Sequence, residues 1–172
     1  MEVLQATILN YCTQQGFSSP SGPLSYFKTA SIRNKIYRSL SYVSSRSEVV
    51  TFGRATVLLE NGVGQHFFGV VHFYLQVRID DVVRNLVALQ ILKGVKISNR
   101  VDGHLYPQWQ HDLGHYAPLI ITDAMHIVDA VAIVADSVNA TIKHLIPPRH
   151  HPWNLTILTN FNDIDSSLQL RY

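Results

Sequence analysis

The sequence predicts a mainly β protein of the α+β class, a small curled sheet or partly open barrel with an N-terminal helical segment. Three observations predict it. His66 to Asp80 alternates from Val71 onward, with Val71, Phe73, Leu75, Val77 and Ile79 on one face and His72, Tyr74, Gln76, Arg78 and Asp80 on the other. That is the period-two pattern of a half-buried strand. Further β-branched runs follow at short spacing, separated by turn signals, which favours a curled sheet over a βαβ layout. The helical stripes, Leu4, Ile8, Tyr11 and Cys12 and then Ile32, Ile36, Leu40 and Val43, fall in the first 47 residues.

In chain order, Glu2 to Gln15 reads as a helix with Gly16 as its C-cap. Phe17 to Ser25, with two prolines and a glycine, reads as a loop. Tyr26 to Val43 reads as a second amphipathic helix, striped by Ile32, Ile36, Leu40 and Val43. Ser44 to Ser47 reads as a linker and divides the chain into a basic helical segment, 1–47, and a β-rich domain, 48–172. Val49 to Glu60 is strand-like, and Asn61-Gly62, extended by Gly64, is a turn signal. Asp80-Asp81 ends the alternating strand, and Leu86 to Ile97 forms a third strand region broken or bulged at Gly94. Ser98 to Pro118 reads as a long irregular segment. Leu119 to Thr122 suits a strand. The segment 124–145 fits both periods, and a turn at His126 followed by a strand from Val128 to Val134 is the assignment adopted. Trp153 to Thr159 suits a last strand.

Composition narrows the function classes. Of 172 residues, 47% are hydrophobic and 15% charged, against about 25% charged in an average domain. Low charge with 10% aromatic residues argues against disorder, and some apolar surface is expected to meet a partner or ligand. The single cysteine, Cys12, excludes an internal disulfide and fits a reducing compartment. The absence of a basic n-region or a long apolar run predicts an intracellular protein, nuclear or cytoplasmic, without membrane contact.

The net charge of +2 is modest, but its distribution is uneven: Val3 to Ser47 holds Lys28, Arg33, Lys35, Arg38 and Arg46 and no acid. With Tyr26, Tyr37 and Tyr42 interleaved, those cations suit a phosphate backbone, and the tyrosines suit stacking. The alternative is a solvated helix face whose tyrosines pack it. His104, His111 and His115 crowd the 98–118 segment beside Asp102 and Asp112. His111 and His115 have the four-residue spacing of a zinc pair, although Gly114 and Pro118 oppose a helix there. A His-rich polar loop is the simpler account. No Gly-x-Ser-x-Gly elbow and no Gly-Lys-Ser/Thr phosphate loop is present.

The order of the β segments is Phe52-Gly53-Arg54, an aromatic second strand, LVALQIL, a His/Gly-rich gap, then LIITDAMHIVDAVAIV. Over Val49 to Val134 this order resembles the β-rich domain near the C-terminus of proteins encoded by mobile elements of mushroom-forming fungi. Those domains are loosely similar to bromo-adjacent homology modules, which read chromatin. The resemblance implies a β core and a chromatin or nucleic-acid setting, and it assigns no site residue.

The reading adopted is a non-enzymatic binding module that contacts nucleic acid or a chromatin or protein partner, with no cofactor. One alternative is a hydrolase whose divalent metal is held by His104, His111 and His115. Another is a small-molecule-binding β-barrel. Self-association through an apolar sheet face would be compatible with each.

Overall fold

A computed structural model describes residues 2–42, 55–61, 64–99, 105–110 and 116–146. Among these residues the protein is mainly β with one N-terminal α-helix, and its sheets are open rather than closed into a barrel. Helix α1 (Glu2–Gln15) is followed by β1 (Ser21–Phe27), β2 (Thr29–Ile32), β3 (Lys35–Arg38), β4 (Thr56–Glu60), β5 (His66–Ile79) and β6 (Val82–Leu92). Then come β7 (Lys96–Asn99), β8 (Leu105–Gln110), β9 (Tyr116–Asp123), a 3-10 turn (Ala124–His126), β10 (Ile127–Ala130), β11 (Ala132–Ala135) and β12 (Ile142–Ile146).

The main antiparallel sheet runs β10-β4-β5-β6-β9, with β1 added beside the second half of β5. A second sheet runs β11-β12-β8-β7, and β2 with β3 forms a separate hairpin.

α1 forms where its stripe was expected, and Ile8, Tyr11 and Cys12 are buried. Gly16 ends it at φ +69°, and the Phe17 amide donates to the Cys12 carbonyl at 2.8 Å. That is a six-to-one closure in which glycine takes the left-handed position without a Cβ penalty. Phe17 then packs against the same core, its ring 6.1 Å from that of Tyr11.

β5 is the centre of the molecule, and its two faces meet different layers. Phe67, Val71 and Tyr74 pack with Val57, Leu59, Val87 and Leu89 beneath the hairpin residues Ile32 and Tyr37. On the reverse, Phe68 and Val70 meet Trp109, Ile133 and Leu145 of the second sheet. Leu75, Val77 and Ile79 meet α1. Gly69 is needed at the crossing: a Cβ there would lie 2.8 Å from Leu89 Cδ1 and 3.1 Å from Leu59 Cδ1.

The predicted alternation holds from Phe73 but not across His72. The pairing to β6 shifts between Val71 and Phe73, so one residue is extra and the phase changes. Val71 therefore joins the face of Phe67 and Tyr74, and Tyr74, expected on the polar face, is buried at 3% exposure. The bulge is held from outside: Leu40 and Ser41 amides donate to the Val71 and His72 carbonyls, and Ser41 Oγ also donates to His72 O.

Three other expectations are corrected. The helix expected over Tyr26 to Val43 is instead the end of β1 and the β2–β3 hairpin, so helix in the first 47 residues is confined to Glu2–Gln15 among the described residues. Arg33 and Asn34 turn the hairpin at φ +50° and +63°, a conformation no helix contains. The loop expected to Ser25 is strand from Ser21 on, paired to β5. The irregular segment expected over Ser98 to Pro118 contains β8, which lies between β12 and β7. Asp80-Asp81 does form a turn, at φ +50° and +61°, and Gly94 does break the third strand region. The last strand expected at Trp153 to Thr159 lies outside the described residues.

The Arg33-Asn34 turn carries a testable cost. Two left-handed residues suit Asn-Gly far better than Arg-Asn, and a non-glycine residue there costs about 1 kcal/mol. Replacing the pair with Asn-Gly should raise stability by roughly 1 kcal/mol in urea unfolding, less what the Arg33 contact to Met125 contributes.

Candidate nucleic-acid interface

The β2–β3 hairpin gathers four of the five predicted cations. Lys28 sits at its base, where its carbonyl accepts from the Ser39 amide at 3.0 Å and from Ser39 Oγ at 2.8 Å. Arg38 lies one rung away, opposite Thr29. Arg33 is at the tip, and Lys35 pairs across from Ile32. Lys28, Arg33, Lys35 and Arg38 are all exposed. Arg46 lies outside the described residues.

These cations are not equivalent. Lys35 Nζ is 2.6 Å from Asp129 Oδ2, and Asp129 is buried on β10. Hydrogen bonding to that carboxylate pushes the Lys35 pKa up, so the lysine stays charged but its field is largely cancelled. Arg33 Nη2 donates to the Met125 carbonyl at 3.2 Å, a neutral partner that leaves its charge outward. Arg38 lies over the Tyr42 ring, 5.3 Å from the centroid, a cation–π contact that orders the guanidinium without neutralising it.

Aromatic and apolar groups accompany the charges. Tyr26, Phe27 and Tyr42 are about half exposed, and Ile36 on the outer face of the hairpin is 75% exposed. Tyr37, the third tyrosine of the predicted set, is instead buried under the hairpin. It is an anchor: with Ile32 it ties the hairpin to the main sheet. The hairpin is thus a ribbon with a packed inner row and a cationic, partly aromatic outer surface.

Beneath β2 lies an open cleft of about 430 Å³, reaching Tyr74 and Gln76 on β5, Asn85 on β6 and the 3-10 turn. The sequence does not signal it. Its floor depends on the bulge at His72, which rotates Tyr74 inward, and on the hairpin that overhangs it.

Burial raises the Cys12 pKa, with the Asp80 charge adding to it, as expected of an unreactive core thiol. His126 is bonded to Thr122 Oγ1 at 2.7 Å, and burial lowers its pKa. His144 Nε2 donates to Asp136 Oδ2 at 2.8 Å. That bond, helped by the amides of Asn139 and Val138, holds Asp136 at about 2. A depressed carboxylate stabilises above its unfolded value, 3.8, and loses that contribution as pH falls towards about 2. The melting-temperature gap between wild type and Asp136→Asn should therefore be full at pH 5 and closed near pH 2.

Among the described residues no group of three His, Cys, Asp or Glu is placed to hold a metal ion. The predicted ligands His104, His111 and His115 lie outside those residues. Nor is any described helix long and apolar enough to cross a membrane. Compared with known protein families, with curated proteins and with solved structures, the chain finds no match.

Proposed function

We propose that this protein is a non-enzymatic binding module that holds single-stranded nucleic acid along the β2–β3 hairpin. One observation carries the reading. Lys28, Arg33 and Arg38 stand exposed with no carboxylate partner among the described residues, beside half-exposed Tyr26, Phe27 and Tyr42. Cations tracking a backbone, with aromatic rings on which bases stack, form the usual sequence-tolerant single-strand surface. Duplex fits less well, because its bases are stacked on each other and leave the tyrosines nothing to stack on.

The test is fluorescence anisotropy with a labelled oligo(dT) strand and a matched duplex, from 50 to 300 mM NaCl. The strand should bind more tightly than the duplex. Three phosphate contacts give a log–log salt slope of about −2, since each contributes roughly −0.7 on single strands. Absence of binding to both nucleic acids at 50 mM salt would overturn the reading.

A further inference from the structure

We propose that the free edge of β2 is a docking site for an extended peptide that carries an acidic residue near each end. The edge is distinct from the outer hairpin surface of the single-strand reading, although the two share Lys28 and Arg33. The Ser39 amide donates to the Lys28 carbonyl at 3.0 Å, and Ile32 pairs with Lys35 across the Arg33-Asn34 turn. Both observations fix the phase of the ladder: Lys28, Ala30 and Ile32 direct their backbone groups at β3. Thr29 and Ser31 hold the alternate positions, so the N–H and C=O of each point away from β3. Among the described residues β2 pairs with β3 alone, and no backbone bond reaches Thr29 or Ser31 from the other side. Alternating donors and acceptors on an open edge are what an added antiparallel strand takes up.

The surroundings select the occupant. All of β2 lines the open cleft of about 430 Å³, together with Phe27, Val82, Val83 and Met125, each about half exposed. Large apolar side chains left exposed around one groove mark a protein-binding surface. Ala30 and Ile32 pack inward and Ser31 is exposed, so an added strand puts alternate apolar side chains into the cleft and the others outside. Lys28 and Arg33 bracket β2, roughly 17 Å apart along an extended chain, with no carboxylate partner among the described residues. Acids at both ends of the peptide meet them. Asp123, which accepts from the Met125 amide at 2.8 Å and lines the cleft, disfavours an acid on the inward row. Self-pairing is disfavoured too: β2 laid antiparallel on its copy sets Lys28 against Arg33 of the second chain.

The experiment is fluorescence anisotropy with a labelled, end-blocked hexapeptide, EVTVTE. Laid antiparallel on β2, its threonines face Ser31 and Thr29, its valines fill the inward row, and its glutamates reach Arg33 and Lys28. Methylating both threonine amide nitrogens removes the donors that face β2 and should weaken binding about ten-fold or more. Methylating both valine nitrogens, which face away, should change it less than about two-fold. Ser31→Pro deletes an outward N–H that β3 does not use, so the hairpin still forms. It should weaken binding about ten-fold, and Ser31→Ala should not. The neutral peptide QVTVTQ should bind about 3- to 10-fold more weakly at low salt, with the gap closing as salt rises. No binding of EVTVTE, or equal losses from the two methylation patterns, overturns the edge site. A wild-type dimer in sedimentation that Ser31→Pro converts to monomer overturns it as well, because a second copy then covers β2. Ser31→Pro should keep its affinity for oligo(dT), since the single-strand reading uses no backbone group of β2, and either reading can therefore fail without the other.

Discussion

Phe68→Ala should lose about 3–5 kcal/mol, a large part of the stability of a domain this size. Phe68 is 1% exposed and wedged between β5 and the second sheet, against Leu58, Trp109 and Leu145. Leu58 and Leu145 are themselves fully buried, so the surroundings have little room to collapse into the space left. The neighbouring ring, Phe67, is equally buried on the opposite face with Leu59, Val71 and Leu89. Phe67→Ala should therefore cost a similar amount, through a different layer. Consecutive residues of an ordinary half-buried strand would not behave this way, because one of the two would face water. Val83→Ala, at an exposed β6 position, should stay within about 0.5 kcal/mol. Urea unfolding of the three variants checks this, with midpoints moving at constant m. A neutral Phe67→Ala would mean that the hairpin does not seal its face of the sheet.

That two-sided burial was only half legible. The second half of β5 follows its sequence pattern because its rows meet α1 on one side and the cleft and hairpin on the other. The first half, His66 to Val71, has no polar row at all, which is the signature of a strand covered on both faces. The phase change at His72 has no local signal. It is held by Leu40 and Ser41, some thirty residues upstream, which take up the carbonyls that the bulge exposes. Tyr74 is therefore buried by a long-range event, and the cleft it lines could not be inferred from period alone.

The hairpin shows a different failure. Ile32, Ile36, Leu40 and Val43 have helical spacing, yet Ile36 is the most exposed of the three that are described, at 75%. The spacing was coincidental. The local chemistry that won was a short Arg33-Asn34 turn between two β-capable stretches, with Ser39 stitched back to Lys28. Lys28, Arg33, Lys35 and Arg38 still lie on or beside one hairpin, because a tight hairpin keeps near neighbours together as a helix would. In β8, Pro107 and the surrounding polar residues masked a strand that its partners β7 and β12 define. Strand pairing is non-local, and a sequence window does not contain it.

Replacing Lys28, Arg33 and Arg38 together with alanine should weaken single-strand binding about 500-fold at 50 mM salt and about 30-fold at 200 mM. Three lost contacts remove about 2 from the slope of log affinity against log salt, at roughly 0.7 each. The loss shrinks with salt because counterion release is worth less when counterions are plentiful. Lys35 supplies the internal control. It belongs to the same hairpin, but Asp129 already takes its charge at 2.6 Å. Lys35→Gln should leave the slope nearly unchanged, while lowering stability because buried Asp129 loses a partner. Two variants of the same charge type on one ribbon should thus separate cleanly: Arg38→Gln shifts binding and its salt dependence, and Lys35→Gln shifts folding. Were all four positions to contribute equally to the slope, the surface would be a diffuse basic patch. A graded response that spares Lys35 is expected only if the hairpin presents the three unneutralised cations to the strand in the geometry described.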